Sequence, residues 1–324
     1  PLEIQYKHFA LWQRSYLSGE ALENQLTYWR KKLSGYETLS LPTDHIRPGT
    51  IDYRGGRETF TLSRQLSDRL RTLAKAHGVT MHSVLLSSVN ILLSKYTGQQ
   101  DIVTGSPIAN RHHRQTAGLI GFFVNTQVNR VDLSDSPTFT ALIDQVHRDQ
   151  IESQANQDVP FEKLVDELSV ERDASRHPIF QVVFGVQSFG RNTDQSLVED
   201  SDIKSFTDPV PYQVEKFDMS IFVDDSQDEF TGQVSYATSL FDAITIQRFC
   251  DHYVYLLDQL VESPGLPYSR MSLLNPTEYD QIVREWNATA HAYAEDKTIH
   301  ELFEDQVIRT PEAIAVVFQD QRLT

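Results

Sequence analysis

Between Thr80 and Gly98 the chain places Val84, Leu85, Leu86, Val89, Leu92 and Leu93, which would put apolar side chains on most faces of a helix. Such a helix has no side left for water, so other elements must cover it and the chain must build layers around it. Thr80 is placed to cap it and Gly98 to stop it. Ile179 to Val186 is a near-continuous apolar run that reads as a strand needing similar cover. Shorter signals fill the rest. Leu22, Leu26, Trp29 and Leu33 recur at helical spacing before Gly35, and Leu66, Leu70 and Leu73 do so before Gly78. Pro137 opens a helix through Leu142 and Val146, and Asp242 is placed to cap one reaching Val261. Strands are expected at Glu58 to Leu62, Asp101 to Ser106, Phe122 to Val131, Lys216 to Val223 and Phe230 to Tyr236, the last two as a hairpin. Residues 43–56 read as loop, and 191–211 as a polar, acidic excursion.

A chain of 324 residues is long for one core, and 40% hydrophobic with 23% charged residues is the balance of a globular protein. The net charge of −16 argues against nucleic acid as a partner, since phosphate binding rests on cationic contacts. No apolar stretch reaches membrane-spanning length, so no membrane partner is expected. The single cysteine, Cys250, excludes an internal disulfide, fits a reducing cytoplasm and sits among Phe249, Tyr253 and Leu256 as packing. No metal-ligand spacing is present. Pro1 in place of a methionine suggests a piece of something longer. Pro264, Gly265 and Pro267 suggest a linker, followed by a short helix at Glu278 to Trp286, an amphipathic helix at Thr298 to Val307 and a strand at Ala313 to Phe318.

Four runs could carry function. Ile120 to Arg130 reads as a buried strand with one uncharged amide, Asn125, which must find hydrogen-bond partners. Asn156 to Glu162 reads as the start of a helix, with Asp158 as cap and Pro160 and Phe161 in its first turn. Arg172 to Phe180 sets Arg172, Asp173, Ser175 and Arg176 before Pro178 and an apolar strand, and reads as an Arg–Asp latch. Tyr6 to Arg14 spaces Tyr6, Phe9 and Trp12 for packing along a helix. In addition, Gly105-Ser106-Pro107-Ile108-Ala109 ends a strand with small residues, which lets a ligand approach the backbone.

In this order the runs resemble the condensation domain of nonribosomal peptide synthetases. Residues 120–130 match Ile-Gly-x-Phe-Val-Asn-Thr-x-x-x-Arg, with Gly121, Asn125 and Arg130 in place. Residues 172–180 match Arg-Asp-x-Ser-Arg-x-Pro-x-Phe. The His-Gln-Asp-Val-Pro-Phe-Glu motif occurs with Asn156 for histidine, and Tyr-x-Asp-Phe-Ala-x-Trp with His8 for aspartate. Residues 298–324 resemble the opening of an adenylation domain.

The resemblance implies an α/β fold, a chloramphenicol-acetyltransferase-like two-layer sandwich forming one half of the condensation-domain pseudo-dimer. It implies a C-terminal condensation subdomain over 1–262, a linker over 263–297 and the start of an adenylation domain over 298–324. The implied reaction is peptide-bond formation between a carrier-bound donor acyl or peptidyl thioester and a carrier-bound aminoacyl acceptor. Both substrates arrive on the 4'-phosphopantetheine of upstream and downstream peptidyl carrier domains, with no cofactor bound directly. The N-terminal condensation subdomain and the adenylation domain are the other implied partners. Ser106 would face the acceptor amine, and Asn125 would line or support the tunnel.

The family's His-His-x-x-x-Asp-Gly signature has no counterpart, so no catalytic residue is assigned and the chain alone is expected to be inactive. His112-His113-Arg114-Gln115-Thr116-Ala117-Gly118 imitates it but has Ala117 where aspartate is required, and reads as exposed loop. The alternatives are an epimerization domain on the same scaffold and a non-catalytic recognition or scaffold fragment.

Overall fold

The computed structural model describes residues 3–134, 137–170, 173–187, 213–292 and 296–324, in two compact units that divide between Asn275 and Pro276. In the first unit, helices α1 (Tyr6–Tyr16) and α2 (Gly19–Lys32) precede β1 (Gly55–Thr61). Next come α3 (Arg64–His77), α4 (Met81–Thr97), β2 (Asp101–Ile108), β3 (Asn125–Asp132), α5 (Phe139–Gln154) and α6 (Phe161–Glu167). Strands β4 (Val182–Gln187), β5 (Met219–Asp224) and β6 (Thr231–Ala237) and helix α7 (Ala243–Glu262) complete it.

The strands form one sheet in the order β1-β6-β5-β4-β2-β3. β4 runs parallel to β5 and to β2, and the other neighbours are antiparallel. β5 and β6 form the expected hairpin, with Asp224 opposite Thr231. β2 meets β4 at a single register pair, Gly105 opposite Val183, so the sheet has a thin seam at its middle.

Helix α4 answers the opening constraint: every residue from Ser83 to Leu93 is buried. Thr80 Oγ1 accepts from Ser83 N at 3.1 Å, and Gly98 ends the helix at φ 73°. It packs on α3, α5 and α7 on one side and on β2 and β4 on the other. Alternate strand residues feed two cores. Ile102, Val131, Val182, Phe184 and Ile221 enter a large one with α3, α4, α5 and α7. Val103, Val128 and Val183 enter a smaller one with Leu26 and Trp29 of α2 and Phe161 and Leu164 of α6.

Several local expectations shift. β1 takes in Gly55 and Gly56, which pair with Ala237 and Tyr236 instead of belonging to the loop. β3 begins only at Asn125; Ile120 is 95% exposed and Phe122 78%, so the front half of the expected buried strand is a loop in which Phe123 alone of the aromatic pair is buried, against Phe9 and Leu119. Thr138 caps α5, its Oγ1 accepting from Ala141 N. Asp242 holds the cap position of α7 without a side-chain capping bond. Its carboxylate lies 3.1 Å from His45 Nε2, while Asp44 accepts from Asp242 N and from the Thr245 hydroxyl. The expected excursion at 191–211 lies outside the described residues. Cys250 is buried as expected, and burial pushes its thiol up to about 12, which leaves it unreactive.

The second unit holds α8 (Pro276–Tyr279) with a π-helical turn Asp280–Glu285, α9 (Ile299–Arg309), and a hairpin of β7 (Val316–Phe318) and β8 (Gln321–Leu323). A capping box of Thr298 and Glu301 starts α9. No residue of α9 is buried, and Ile299, Phe303, Val317 and Phe318 are exposed. Among the described residues, no single helix is long and apolar enough to cross a membrane.

Candidate functional site

At the seam, Ser106 is buried at 4% exposure, and its hydroxyl donates to the carbonyl of Phe184 on β4 at 2.8 Å. Asn129 Nδ2 donates back to Ser106 Oγ at 2.8 Å, and Gln150 Nε2 of α5 donates to Asn129 Oδ1 at 2.7 Å. The hydroxyl is therefore oriented by a buried polar relay that stitches β2, β3, β4 and α5. Gly105 does not offer open backbone to a ligand. A Cβ there would come 2.4 Å from the Phe180 ring, so the glycine is required by that ring.

Asn125 finds its partners completely. Its Nδ2 donates to Gln157 O at 3.0 Å and Val159 O at 2.9 Å, and its Oδ1 accepts from Thr126 N and Phe161 N. The last bond caps α6 from a different element. Asp158, the expected cap, instead accepts from Gln25 Nε2 at 3.0 Å and lies 3.3 Å from His112 Nε2. Pro160 holds the N-cap position, and Phe161 stacks on His177 with ring centroids 5.3 Å apart.

Tyr6 and Gly121 meet: a Cβ on Gly121 would lie 2.3 Å from the Tyr6 ring, and the Tyr6 hydroxyl donates to Phe122 O at 2.8 Å. Trp12 stacks on Tyr16 and turns an edge to His113. Arg130 forms a bidentate pair with Asp101, both bonds 2.9 Å, and reaches the carbonyls of Lys32, the last residue of α2, and of Ser34. His112 and His113 lie on an exposed loop.

In the latch segment Arg172 lies outside the described residues. Asp173 accepts from Ser175 N and lies 3.2 Å from Arg176 Nε; the Ser175 bonds, with Arg176 and Arg47 nearby, hold its carboxyl below the usual range. Ile179 adopts φ 70° in a tight turn closed by Phe180 N donating to Pro178 O, a rare conformation for a β-branched residue. Burial lowers the pKa of the His177 imidazole, which keeps it neutral near pH 7. The segment is pinned by an ion pair that sequence reading missed: Arg47, from the long loop, pairs with both carboxylate oxygens of Asp218 and donates to Ser175 O. An arginine in a loop carries no signal of a partner 171 positions away. Asn129 and Gln150 were missed as well. Polar residues alternating along a strand read as solvent-facing, whereas here they face α5. Among the described residues, no group of histidine, cysteine and carboxylate side chains could hold a metal ion.

The sheet covered by helices on both faces, with its thin central seam, is a chloramphenicol-acetyltransferase-like architecture. The condensation-domain family model matches residues 1–283, and the chain belongs to the condensation domains of nonribosomal peptide synthetases. It is 40% identical over its whole length to a linear gramicidin synthase of Brevibacillus parabrevis, and spans 6% of that protein. The X-domain in its complex with OxyB from teicoplanin biosynthesis superposes with a TM-score of 0.75 at 27% identity, over 85% of this chain and 62% of that one. A four-domain nonribosomal peptide synthetase bound to AMP and glycine shares the fold, with a TM-score of 0.79 at 22% identity over 92% of this chain and 24% of that one.

Proposed function

We propose that the chain is the C-terminal subdomain of a peptide-bond-forming condensation domain, running through a linker into the start of an adenylation domain. One observation carries this reading: the family match runs over residues 1–283, yet the sequence contains no His-His-x-x-x-Asp-Gly. The chemistry then rests on a histidine contributed by the N-terminal subdomain, which lies by the attacking amine. The exposed run of Ile120, Phe122 and Val124 together with Leu11 of α1 supplies an apolar face for that subdomain. The unpartnered apolar residues of α9 and the β7–β8 hairpin fit an element awaiting the body of an adenylation domain.

In this reading donor and acceptor thioesters arrive on phosphopantetheine arms of carrier domains, and this half supplies the opposing wall of the tunnel. Ser106 forms part of that wall, its hydroxyl fixed by Asn129 and Gln150. Asn125 supports it by fastening the exposed 120–124 loop to the start of α6. Fixing the wall positions the amine against the thioester, and positioning can be worth several powers of ten in rate. The match to the condensation-domain family over residues 1–283 favours condensation over epimerization.

Ser106→Ala and Asn125→Ala, each made in the intact synthetase, are expected to slow single-turnover dipeptide formation by about tenfold, where a misplacement near 1 Å can cost about a hundredfold. The purified 324-residue chain, given both loaded carriers, is expected to form no dipeptide. Unchanged rates in both variants would overturn the wall assignment, and condensation by the chain alone would overturn the half-domain reading.

A further inference from the structure

The hydrogen-bond chain at the seam has a direction. Phe184 O is a backbone carbonyl and can only accept, so Ser106 spends its one proton on it, at 2.8 Å. Ser106 must then accept from Asn129, which presents Nδ2 at 2.8 Å and turns Oδ1 toward α5. That oxygen needs a donor, and Gln150 Nε2 supplies it at 2.7 Å. A carboxamide can exchange its two ends by turning over. Reversed, the chain would draw the Ser106 proton to Asn129 and away from Phe184 O, and the Gln150 donor on Asn129 Oδ1 opposes that. Ser106, Asn129 and Gln150 are 4%, 3% and 9% exposed, too little for bulk water to satisfy a reversed amide.

A hydroxyl oxygen can accept twice. Ser106 accepts once, from Asn129, and among the described residues no second donor reaches it. Gln127 stands directly opposite Ser106 in the β2–β3 register, 3% exposed, and keeps its Nε2 unpaired instead of filling that position. Thr104, opposite Asn129, likewise leaves its Oγ1 without a partner. The relay passes between two unused polar groups and takes up neither. Its three bonds form one line from α5 to the seam, ending on a serine with one acceptor position left over.

We infer that Gln150, two hydrogen bonds away from Ser106, is a positioning residue for the reaction proposed above. Through Asn129 it commits the Ser106 proton to Phe184 O and leaves Ser106 one lone pair, which accepts an N–H of the attacking amine and so aims the nitrogen at the thioester carbon. In this arrangement Ser106 orients the amine and passes no proton to the departing thiolate. The inference rests on the condensation reading and adds to it the residue that sets the polarity of the wall.

The test is a double-mutant cycle in the intact synthetase, with both carriers loaded and single-turnover dipeptide formation measured. Gln150→Met is expected to slow the reaction about fivefold, and the Ser106→Ala/Gln150→Met double variant about tenfold, no more than Ser106→Ala alone, because the group that Gln150 positions is then gone. A side chain that merely fills space would instead multiply the two losses to about fiftyfold. That multiplied loss, or a wild-type rate in Gln150→Met, would overturn the proposal. If Gln150→Met fails to fold, Gln150→Glu, of the same shape but unable to donate when ionised, carries the same cycle with the same expectation. A wild-type rate in Ser106→Ala refutes the wall reading beneath, whereas a slow Ser106→Ala with an independent Gln150 effect refutes the role of Gln150 alone.

Discussion

On one face of the sheet, α3, α4, α5 and α7 enclose a wide apolar core in which Leu85, Leu86, Leu92, Phe139 and Leu256 are fully buried. On the other, α2 and α6 rest on a much smaller cluster and are secured by directed polar bonds. Arg130 fastens the end of α2, Asn125 caps α6, Gln25 joins Asp158, and Trp29 Nε1 donates to Asn156 O at 2.8 Å. Nondirectional burial holds the first face and tolerates exchange of one aliphatic residue for another. Specific donors and acceptors hold the second, so few residues can replace those present. The family-motif residues Asn125, Arg130 and Phe161 lie on this second face.

The comparison can be broken most severely from the thick side. Leu92→Ala is expected to cost about 3–4 kcal/mol in urea unfolding, the range for emptying a well-packed leucine site. A cost below about 1 kcal/mol would show that this core is not the main source of stability.

The next effect depends on pH and belongs to the same face. The His82 ring packs 5.4 Å from that of Phe184, and burial lowers its pKa from 6.5 to about 4. Below pH 6.5 the unfolded chain takes up a proton that the folded chain refuses. Stability is therefore full above that pH and falls as pH drops toward 4, by roughly 3 kcal/mol. Unfolding midpoints at pH 7 and 4.5 should separate in the wild type and converge in His82→Gln; equal separation in both would remove His82 as the cause.

Asn125→Ala should cost less, roughly 2 kcal/mol, by stranding Phe161 N and two carbonyls. Hydrogen exchange is the sharper measurement. Faster exchange confined to the first turn of α6 is expected, and uniform acceleration across the domain would count against a local clip.

The sequence made the thick face legible because periodicity reports burial: Leu66, Leu70, Val84 to Leu93 and the end of α7 all lie where spacing puts them. The thin face was legible only as motifs. Asn125 was correctly singled out as an amide needing partners, but its capping of Phe161 N spans 36 positions and follows no local pattern. The same composition that made Phe122 to Val124 look like strand interior left Phe122 and Val124 exposed on a loop and only Phe123 buried, because aromatic and β-branched residues suit an interface as well as a core. Arg47 and Gln150 gave no sign of their roles, since their partners are set by tertiary proximity.

The sheet order also bears on how the chain is made. Among the described residues β1 has one strand neighbour, β6, and Thr61 pairs with Thr231. During synthesis at about 5–20 residues per second, β1 leaves the ribosome on the order of ten to thirty seconds before its partner exists. Through that interval Phe60, destined to lie over Gly232, has no cover from the strand that will shield it. The edge strand is thus an early-made piece completed late, and closing so distant a pairing makes folding slow and the nascent chain reliant on protection from aggregation.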